Sequence, residues 1–355
     1  MHKSKSQGPA PLSALGLLLV VQMAVSAEAV ADAVDGQLDT ACVMQMAESA
    51  EGSTTLAEIR ERCAITALRA EERVKARPDE AVEPVQQPVE KRLAMDRESA
   101  ARPFTIMAHK PNYFLVGAWN SKGWDDELYQ EQSGLPDYEN DDIESQFQIS
   151  LKVPLAIGLF NDRMDLYGAY TNRSFWQMYN DEWSRPFRET NHEPEVWAQF
   201  RNDWNVWGFT NSVNAVGLVH QSNGRAGVLS RSWNRLYATF VFERGDWVLS
   251  LKPWYWLKKD REDSDNPDIT DYMGHGELRL AWGKNGHVLS LMSRNQLESG
   301  FDKGAVEIGW SFPVFDYPYL RGYLQYFNGY GESLIDYNNK VNRIGIGISL
   351  TDWLD

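Results

Sequence analysis

The chain has 355 residues, which is enough for one large β domain and a smaller N-terminal extension. Its formal net charge is −15, and this argues against nucleic acid as a partner, because phosphate binding needs a basic surface. The only cysteines are Cys42 and Cys63, which lie close to the N-terminus. Two thiolates with no nearby histidine disfavour a metal site, and in an oxidising compartment we expect them to form a disulfide.

The first predicted element is a secretory signal peptide over residues 1–29. An apolar run from Leu12 to Val25 follows a short basic stretch with Lys3 and Lys5, and small residues such as Ala27 come after it. No later run reaches the roughly 20 apolar residues that a transmembrane helix requires. An exported chain of this kind is therefore either a soluble protein or a β-barrel.

Two segments without strand periodicity follow the signal peptide. Residues 30–75 read as a small helical segment, which we expect to be periplasmic and to contain the cysteine pair. Residues 76–104 are rich in Pro, Glu, Arg and Gln, and this composition predicts a linker or disordered tether. We expect residues 30–102 to be dispensable for catalysis, because every motif with chemical character lies downstream.

From residue 105 to the end, aromatic residues become frequent and apolar residues alternate with polar ones. The pattern predicts twelve strands, an even number that is typical of antiparallel barrels in an outer membrane. The strands are centred on Phe114, Ile149, Tyr167, Trp197, Leu218, Ala238, Leu251, Leu278, Leu289, Glu307, Tyr323 and Ile346. The fold class is thus an all-β, twelve-stranded antiparallel transmembrane β-barrel over residues 105–355, preceded by a short helical and disordered N-terminal extension.

The alternation also predicts which face of each strand meets lipid. In the segment Gln146–Val153, one face carries Phe147, Ile149 and Leu151, and the other carries polar residues that include Lys152. The polar face of several strands mixes glycine, serine and charges of both signs, as the interior of a filled barrel does. Its charged members are Lys152, Lys252, Glu277, Arg279, Glu307 and Arg321. This set predicts a plugged lumen.

The most informative residues are His220 and Ser222, two positions apart on one predicted strand, with Asn234 on the next. Residues at i and i+2 share a strand face, so the imidazole and the hydroxyl are neighbours. By the same parity all three residues fall on the apolar, lipid-facing side. Each of these residues by itself is common in turns or at a membrane interface. Together they supply a nucleophile, a base and an orienting group for acyl transfer. A substrate that lies in the membrane would explain their position.

The motifs around these residues resemble those of the outer-membrane phospholipase A family. The resemblance rests on HQSNGR at 220–225 and SRSWNRLY at 230–237. Further matching motifs are PFRETNHEPE at 186–195, LKPWYW at 251–256, DNPDIT at 265–270 and YGESLIDYN at 330–338. The resemblance implies a calcium-dependent barrel enzyme that hydrolyses the sn-1 and sn-2 acyl esters of membrane glycerophospholipids and lysophospholipids. It further implies an active homodimer in the bacterial outer membrane.

The resemblance also implies a role for each matching residue. Ser222 would be the nucleophile, His220 the general base and acid, and Asn234 the group that orients His220. The Gly224 amide would supply one oxyanion donor and calcium-bound water the other. One Ca²⁺ per active site would be held by the Arg225 carbonyl, by Ser230 and by Ser184 from the partner subunit. Asp265 corresponds to an alternative calcium position in the monomer. Gly227 stands where related proteins carry an acidic residue, so we expect a weaker calcium site.

Two other functional classes compete with this hypothesis. The first is a non-catalytic outer-membrane barrel, either a small porin or a scaffold, in which the three residues are vestigial. The charged interior set argues against an open pore, because such side chains leave little room inside a twelve-stranded barrel. The second is a soluble exported esterase, which the outward apolar faces and the absence of a Gly-x-Ser-x-Gly motif disfavour.

Overall fold

The computed structural model describes residues 54–59, 62–63, 87–257, 264–295, 302–315 and 317–354. The chain divides into two compact units, Met1–Val85 and Gln86–Asp355. In the first unit, Thr55 begins a helical turn by exchanging hydrogen bonds with Glu58, the reciprocal arrangement of a capping box. Cys63 is disulfide-bonded. Cys42, the predicted signal peptide and most of the predicted helical segment 30–75 lie outside the described residues.

The second half of the predicted linker is not a linker. Residues Pro88–Ala100 form helix α1, which begins with proline at its first turn, where a missing N–H costs nothing. The side chains of α1 find their partners on the barrel: Asp96 forms a buried ion pair with Lys152, and Arg97 binds Asp165. The sequence of α1 has no apolar stripe, so its stability comes from these polar contacts. No helix among the described residues is long and apolar enough to cross a membrane.

Twelve antiparallel strands close into a barrel, as the alternation predicted. They are β1 Asn112–Asn120, β2 Ile143–Gly158, β3 Met164–Trp176, β4 Phe187–Val206, β5 Phe209–Ser222, β6 Ser232–Arg244, β7 Trp247–Trp256, β8 Gly276–Lys284, β9 His287–Asn295, β10 Gly304–Pro313, β11 Arg321–Gly329 and β12 Val341–Thr351. Each strand pairs with its neighbour in sequence, and β12 pairs with β1 to close the sheet. An additional two-residue strand, Met107–Ala108, pairs with β2.

The two faces of the barrel follow the predicted parity. In β2, Ile149 is 49% exposed, whereas Ser150 and Lys152 on the opposite face are 0% and 6% exposed. In β12, Ile346 is 60% exposed and Ser349 is 1% exposed. The outer face is therefore apolar and the inner face polar, which is the arrangement of a membrane barrel and the reverse of a soluble one.

The connections distinguish the two ends of the barrel. At one end the links between strands are short and occupy residues 159–163, 207–208, 245–246, 285–286 and 314–320. Two of them are two-residue turns with positive φ at both positions, Trp207-Gly208 and Asn285-Gly286, as tight hairpins require. The links at the other end are longer and contain helix α2, Glu127–Ser133, the 3₁₀ turn Gly227–Leu229 and helix α3, Ile269–Met273. Short turns face the periplasm in such barrels, so the long links are extracellular.

Ion pairs and aromatic rings fill the lumen. Arg188 is fully buried between Glu144 and Asp336, and its guanidinium stacks on Trp124 at 3.5 Å from the ring centroid. Arg343 forms a similarly buried pair with Glu332. Two cavities remain: a polar one of about 130 Å³ beside Arg173 and Glu307, and one of about 270 Å³ lined by helix α1 and by inward-facing residues such as Lys152 and Lys252. This filled interior supports the predicted plugged lumen.

Aromatic residues at the strand ends of a membrane barrel commonly form girdles at its two interfaces. Trp119, Trp247 and Tyr255 fit this arrangement, because they are exposed on the outer face. Trp353 instead stacks on Arg279, which lines the lumen, at 4.0 Å from the ring centroid. Residues after β12 leave the strand and no longer follow its alternation, so parity does not determine their direction.

Candidate active site

Strands β5 and β6 bring His220 and Asn234 together. The two residues are direct partners in the antiparallel register, and His220 Nδ1 lies 2.8 Å from Asn234 Oδ1. The amide oxygen can only accept a hydrogen bond, so Nδ1 carries a proton and Nε2 is left with a free lone pair. An imidazole in this tautomer can take a proton from a neighbouring hydroxyl.

Ser222 lies two residues beyond His220 on the same face of β5. That face is the outer one, because Val216 and Leu218, which share it, are 51% and 49% exposed. The Ser222 hydroxyl makes no hydrogen bond to any residue that the structure describes. Catalytic hydrogen bonds are often open in a substrate-free enzyme and tighten when substrate binds. Ser222, His220 and Asn234 therefore share the lipid-facing side of the wall, at the extracellular end of the barrel.

A tight turn after Ser222 presents a backbone amide to the same place. Gly224 has φ +65°, a left-handed conformation that favours glycine. Within the described part of the chain the Gly224 N–H has no hydrogen-bond acceptor. Asn223 holds the turn, because its buried side chain donates to the Leu229 carbonyl at 2.7 Å and accepts from the Arg231 N–H at 3.0 Å. The Gly224 amide therefore lies in a turn that the Asn223 side chain fixes, two residues from Ser222.

The side chain of Arg225 fixes the other side of this turn. It donates to the backbone carbonyls of Phe187 and Arg188 at 2.9 and 2.7 Å, and it approaches the buried carboxylate of Glu189. Glu189 also accepts a hydrogen bond from Asn191 at 2.6 Å. The guanidinium of Arg225 is anchored to the start of β4. The role predicted for Arg225, that of a calcium ligand, therefore concerns its carbonyl oxygen.

Ser230 and Asp265, two of the predicted calcium ligands, come together in the structure. The Ser230 hydroxyl donates to Asp265 Oδ2 at 2.7 Å. The loop that carries Asp265 is held against β6 by the Asn266 side-chain oxygen, which accepts from the Ser232 N–H at 3.0 Å. Further along this loop Asp268 accepts a hydrogen bond from Tyr337. Burial and this hydrogen bond raise the pKa of Tyr337, so its hydroxyl stays a donor.

The donor set around Ser230 suits a hard cation. A serine hydroxyl, a carboxylate and a backbone carbonyl are all oxygen ligands, which Ca²⁺ prefers. Among the described residues there is no group of three or more His, Cys, Asp or Glu that could hold a metal on its own. Ser184 lies in the link between β3 and β4, where it is exposed with φ +62°.

The sequence analysis missed His192 and Tyr170. His192 lies on β4 directly opposite Ser222, and its Nδ1 is 2.6 Å from the Tyr170 hydroxyl on β3. Neither residue could be predicted from the HQSNGR motif, because both lie in other strands. A signal was available in the motif at 186–195, which contains His192 and lies in the strand paired with β5.

The fold and this cluster define a class of protein, a membrane-embedded barrel with a hydrolase-like site on its outer surface. Comparison with known proteins leads to the family. A family model described as Phospholipase A1 matches residues 89–350. Phospholipase A1 of Klebsiella pneumoniae is 38% identical over 250 residues, covering 70% of this chain and 84% of that protein.

Two solved structures are similar along the same part of the chain. Outer membrane phospholipase A from Escherichia coli is 37% identical with a TM-score of 0.65, covering 70% of this chain and 99% of that one. The Salmonella typhi outer membrane phospholipase, a dimer with bound calcium, is 36% identical with a TM-score of 0.66, covering 72% and 97%. The chain belongs to the phospholipase A1 family, and it is a phospholipase of the bacterial outer membrane. The predicted family and fold are thereby confirmed.

Proposed function

We propose that this enzyme hydrolyses the sn-1 and sn-2 acyl esters of glycerophospholipids, and of lysophospholipids, with a Ser222–His220–Asn234 triad. The observation that carries the proposal is the 2.8 Å contact between His220 and Asn234 beside Ser222 on the lipid-facing side of the barrel. A phospholipid in the outer leaflet can approach these residues without leaving the membrane. A polar triad at this place has no packing role in the barrel wall.

The reaction follows from the geometry of the three side chains. The Ser222 oxygen attacks the ester carbonyl while His220 Nε2 takes its proton, and Asn234 holds the imidazole in the required tautomer. The carbonyl π electrons move to the oxygen, and the Gly224 N–H donates to the oxyanion. His220 then protonates the leaving glycerol oxygen. A water molecule then gives a proton to His220 and attacks the acyl-serine carbonyl. As the bond to the Ser222 oxygen breaks, His220 returns the proton to that oxygen and the fatty acid is released.

Calcium completes this proposal. The oxygen donors of Arg225 and Ser230 fit a calcium ion beside the turn that carries Gly224, and the bound cation would supply positive charge near the oxyanion. Asp265, which accepts a hydrogen bond from Ser230, would belong to an alternative calcium position in the monomer. Ser184 from the partner subunit would add another oxygen ligand to the calcium ion beside Gly224. We therefore propose one Ca²⁺ per active site of a homodimer. The bound calcium and the dimer of the Salmonella typhi relative support this part. The absence of an acidic side chain at Gly227 should raise the calcium concentration required.

Calcium binding and dimerisation would be linked equilibria, since a site shared between subunits strengthens both by the same coupling free energy. The monomer would then be inactive, which protects the membrane from constant hydrolysis. The residues 30–85 would lie in the periplasm and take no part in the chemistry.

The test is hydrolysis of phosphatidylcholine in mixed micelles by refolded protein, with fatty-acid release from sn-1 and sn-2 measured separately. A calcium titration is run beside a chelator control, and sedimentation reports the dimer fraction. We expect release from both positions, activity proportional to the dimer fraction, and a joint weakening of both in Ser230→Ala. Full activity from a protein that stays monomeric would refute the shared calcium site. No hydrolysis at any calcium concentration would refute the enzymatic proposal.

A further inference from the structure

A second histidine lies beside the nucleophile on the opposite strand. His192 of β4 and Ser222 of β5 are direct register partners, so their side chains point to the same face. In an antiparallel pair the Cβ atoms of such partners are about 4.5–5.5 Å apart. Ser222 is therefore flanked by two imidazoles, His220 along its own strand and His192 across it.

The His192 ring is held in one orientation. Its Nδ1 lies 2.6 Å from the Tyr170 hydroxyl, and the two rings stack with centroids 6.1 Å apart and an interplanar angle of 26°. The opposite edge of the imidazole faces the turn after Ser222. A Cβ placed on Gly224 would lie 3.6 Å from both Nε2 and Cδ2 of His192. The free ring nitrogen thus borders the residue whose N–H has no acceptor.

The Tyr170 contact allows a tautomer in which His192 Nε2 carries a proton. The Tyr170 hydroxyl has no second partner within the described part of the chain, so its single proton is available for Nδ1. When the phenol donates to Nδ1, the proton of a neutral imidazole sits on Nε2. Nε2 is then a hydrogen-bond donor that faces the space next to the Gly224 amide. His220 has the opposite arrangement, because Asn234 leaves its Nε2 as an acceptor.

We infer that His192 is a further protein donor to the oxyanion, in addition to the Gly224 amide, and that it binds the carbonyl oxygen of the acyl ester as Ser222 attacks. The inference rests on the proposed hydrolytic function and deepens it. As the bond between the serine oxygen and the carbonyl carbon forms, the π electrons move to the carbonyl oxygen. The oxyanion then accepts from the Gly224 N–H and from His192 Nε2–H. The His192 proton is shared and not transferred, and Tyr170 acts as the positioning residue.

The experiment compares His192→Phe, His192→Gln and Tyr170→Phe with the parent enzyme at saturating calcium. Phenylalanine keeps a ring against Tyr170 but removes the donor, while glutamine keeps an N–H donor. Removal of one oxyanion donor costs about 10²–10³-fold in kcat. We expect His192→Phe to lose kcat in this range with KM nearly unchanged, and His192→Gln to recover at least part of the loss. Tyr170→Phe should lower kcat less, again without a matching change in KM.

A matched control is Val196→Phe, which places the same ring on the same face of β4 four residues further on, where Val196 is 39% exposed. It should keep normal kcat. Sedimentation of each variant separates chemistry from association. A His192→Phe enzyme with normal kcat would overturn the inference, and so would a loss of activity that matches a loss of dimer.

The rate at which an alkyl fluorophosphonate labels Ser222 tests the inference separately from phospholipid hydrolysis. The phosphoryl oxygen of this probe occupies the position of the oxyanion, so labelling should slow in His192→Phe and recover in His192→Gln. If the parent labels but does not cleave phospholipid, the proposed function fails and the labelling rates still decide the role of His192. If the parent neither labels nor hydrolyses, both are wrong.

Discussion

Polar side chains occupy both faces of this barrel, but they are arranged in different ways. In the lumen, charges are buried and paired: Arg188 with Glu144 and Asp336, and Arg343 with Glu332. On the outer face, the Ser222 hydroxyl makes no hydrogen bond to any described residue and lies among exposed apolar residues. Paired charges in the lumen neutralise one another and support the wall of the barrel, while Arg343 Nη1 and Glu332 Oε2 are buried without a hydrogen-bond partner among the described residues. Groups on the outer face with unused hydrogen-bonding capacity are available to a substrate.

The comparison predicts that changes on the two faces affect different properties. Substitutions in the outer cluster should reduce catalysis and leave stability unchanged. Substitutions in the lumen should reduce stability and leave the chemistry of the folded enzyme unchanged. Each prediction below tests whether the outer face affects only catalysis and the lumen only stability.

The largest effect is expected from Ser222→Ala and His220→Ala. Both remove a group that forms or breaks a bond, so hydrolysis should fall to background while the barrel still folds. The measurement is fatty-acid release from mixed micelles, with folding followed by heat-modifiable gel mobility. Val216→Ala, on the same face of β5, is the control and should retain activity. Substantial hydrolysis by refolded Ser222→Ala would rule out its role as nucleophile.

Arg188→Met should have the largest effect on stability. The substitution leaves the buried carboxylates of Glu144 and Asp336 without their cation, which costs about 3–5 kcal/mol in the free energy of unfolding. Urea unfolding in lipid vesicles measures it. Arg185→Met is the matched control, because the Arg185–Asp181 pair is exposed and contributes about 0–1 kcal/mol. Equal stability of the two variants would show that the lumen pairs do not support the barrel.

Asn234→Ala should reduce kcat less than the loss of His220. The asparagine orients the imidazole but transfers no proton, so the loss should stay within the roughly 10²–10⁴-fold range of general-base assistance. Steady-state kinetics give the value. Asn234→Gln, which keeps the amide on a longer chain, is the companion variant. An Asn234→Ala enzyme as inactive as His220→Ala would mean that the asparagine does more than orient the base.

The smallest effect is expected from deletion of residues 30–85, which should leave hydrolysis and stability unchanged.

A longer deletion that removes helix α1 leaves Lys152 without Asp96, and we expect a loss of about 1–3 kcal/mol in unfolding free energy. The kcat of the folded protein should stay normal, because α1 contacts residues near the short turns, at the end away from Ser222. Asp96→Asn removes the ion pair with Lys152 but keeps helix α1, so it measures the contribution of the pair alone. Loss of catalysis by the shorter protein would refute this independence.

Several features of this molecule could be predicted from local sequence because they depend on local geometry. The twelve strands and the outward direction of Ser222 and His220 follow from a side-chain period of two. Helix α1 could not be predicted, because its stability depends on Lys152 and Asp165 in distant strands. His192 was missed for the same reason: its neighbour Ser222 is 30 residues away in the sequence and becomes close only through the register of β4 and β5.

The sequence by itself determined the architecture, the lipid-facing side and the identity of the three residues proposed to act on the substrate. Alternation, turn composition and a compact motif are all contained within a few consecutive residues. Only the tertiary structure decided which groups surround Ser222. It placed His192 opposite Ser222 and Tyr170 against His192, left the Gly224 N–H without an acceptor among the described residues, and brought Ser230 to Asp265. The physical reason is that strand register and loop packing are set by the closure of the whole sheet, which no single segment determines.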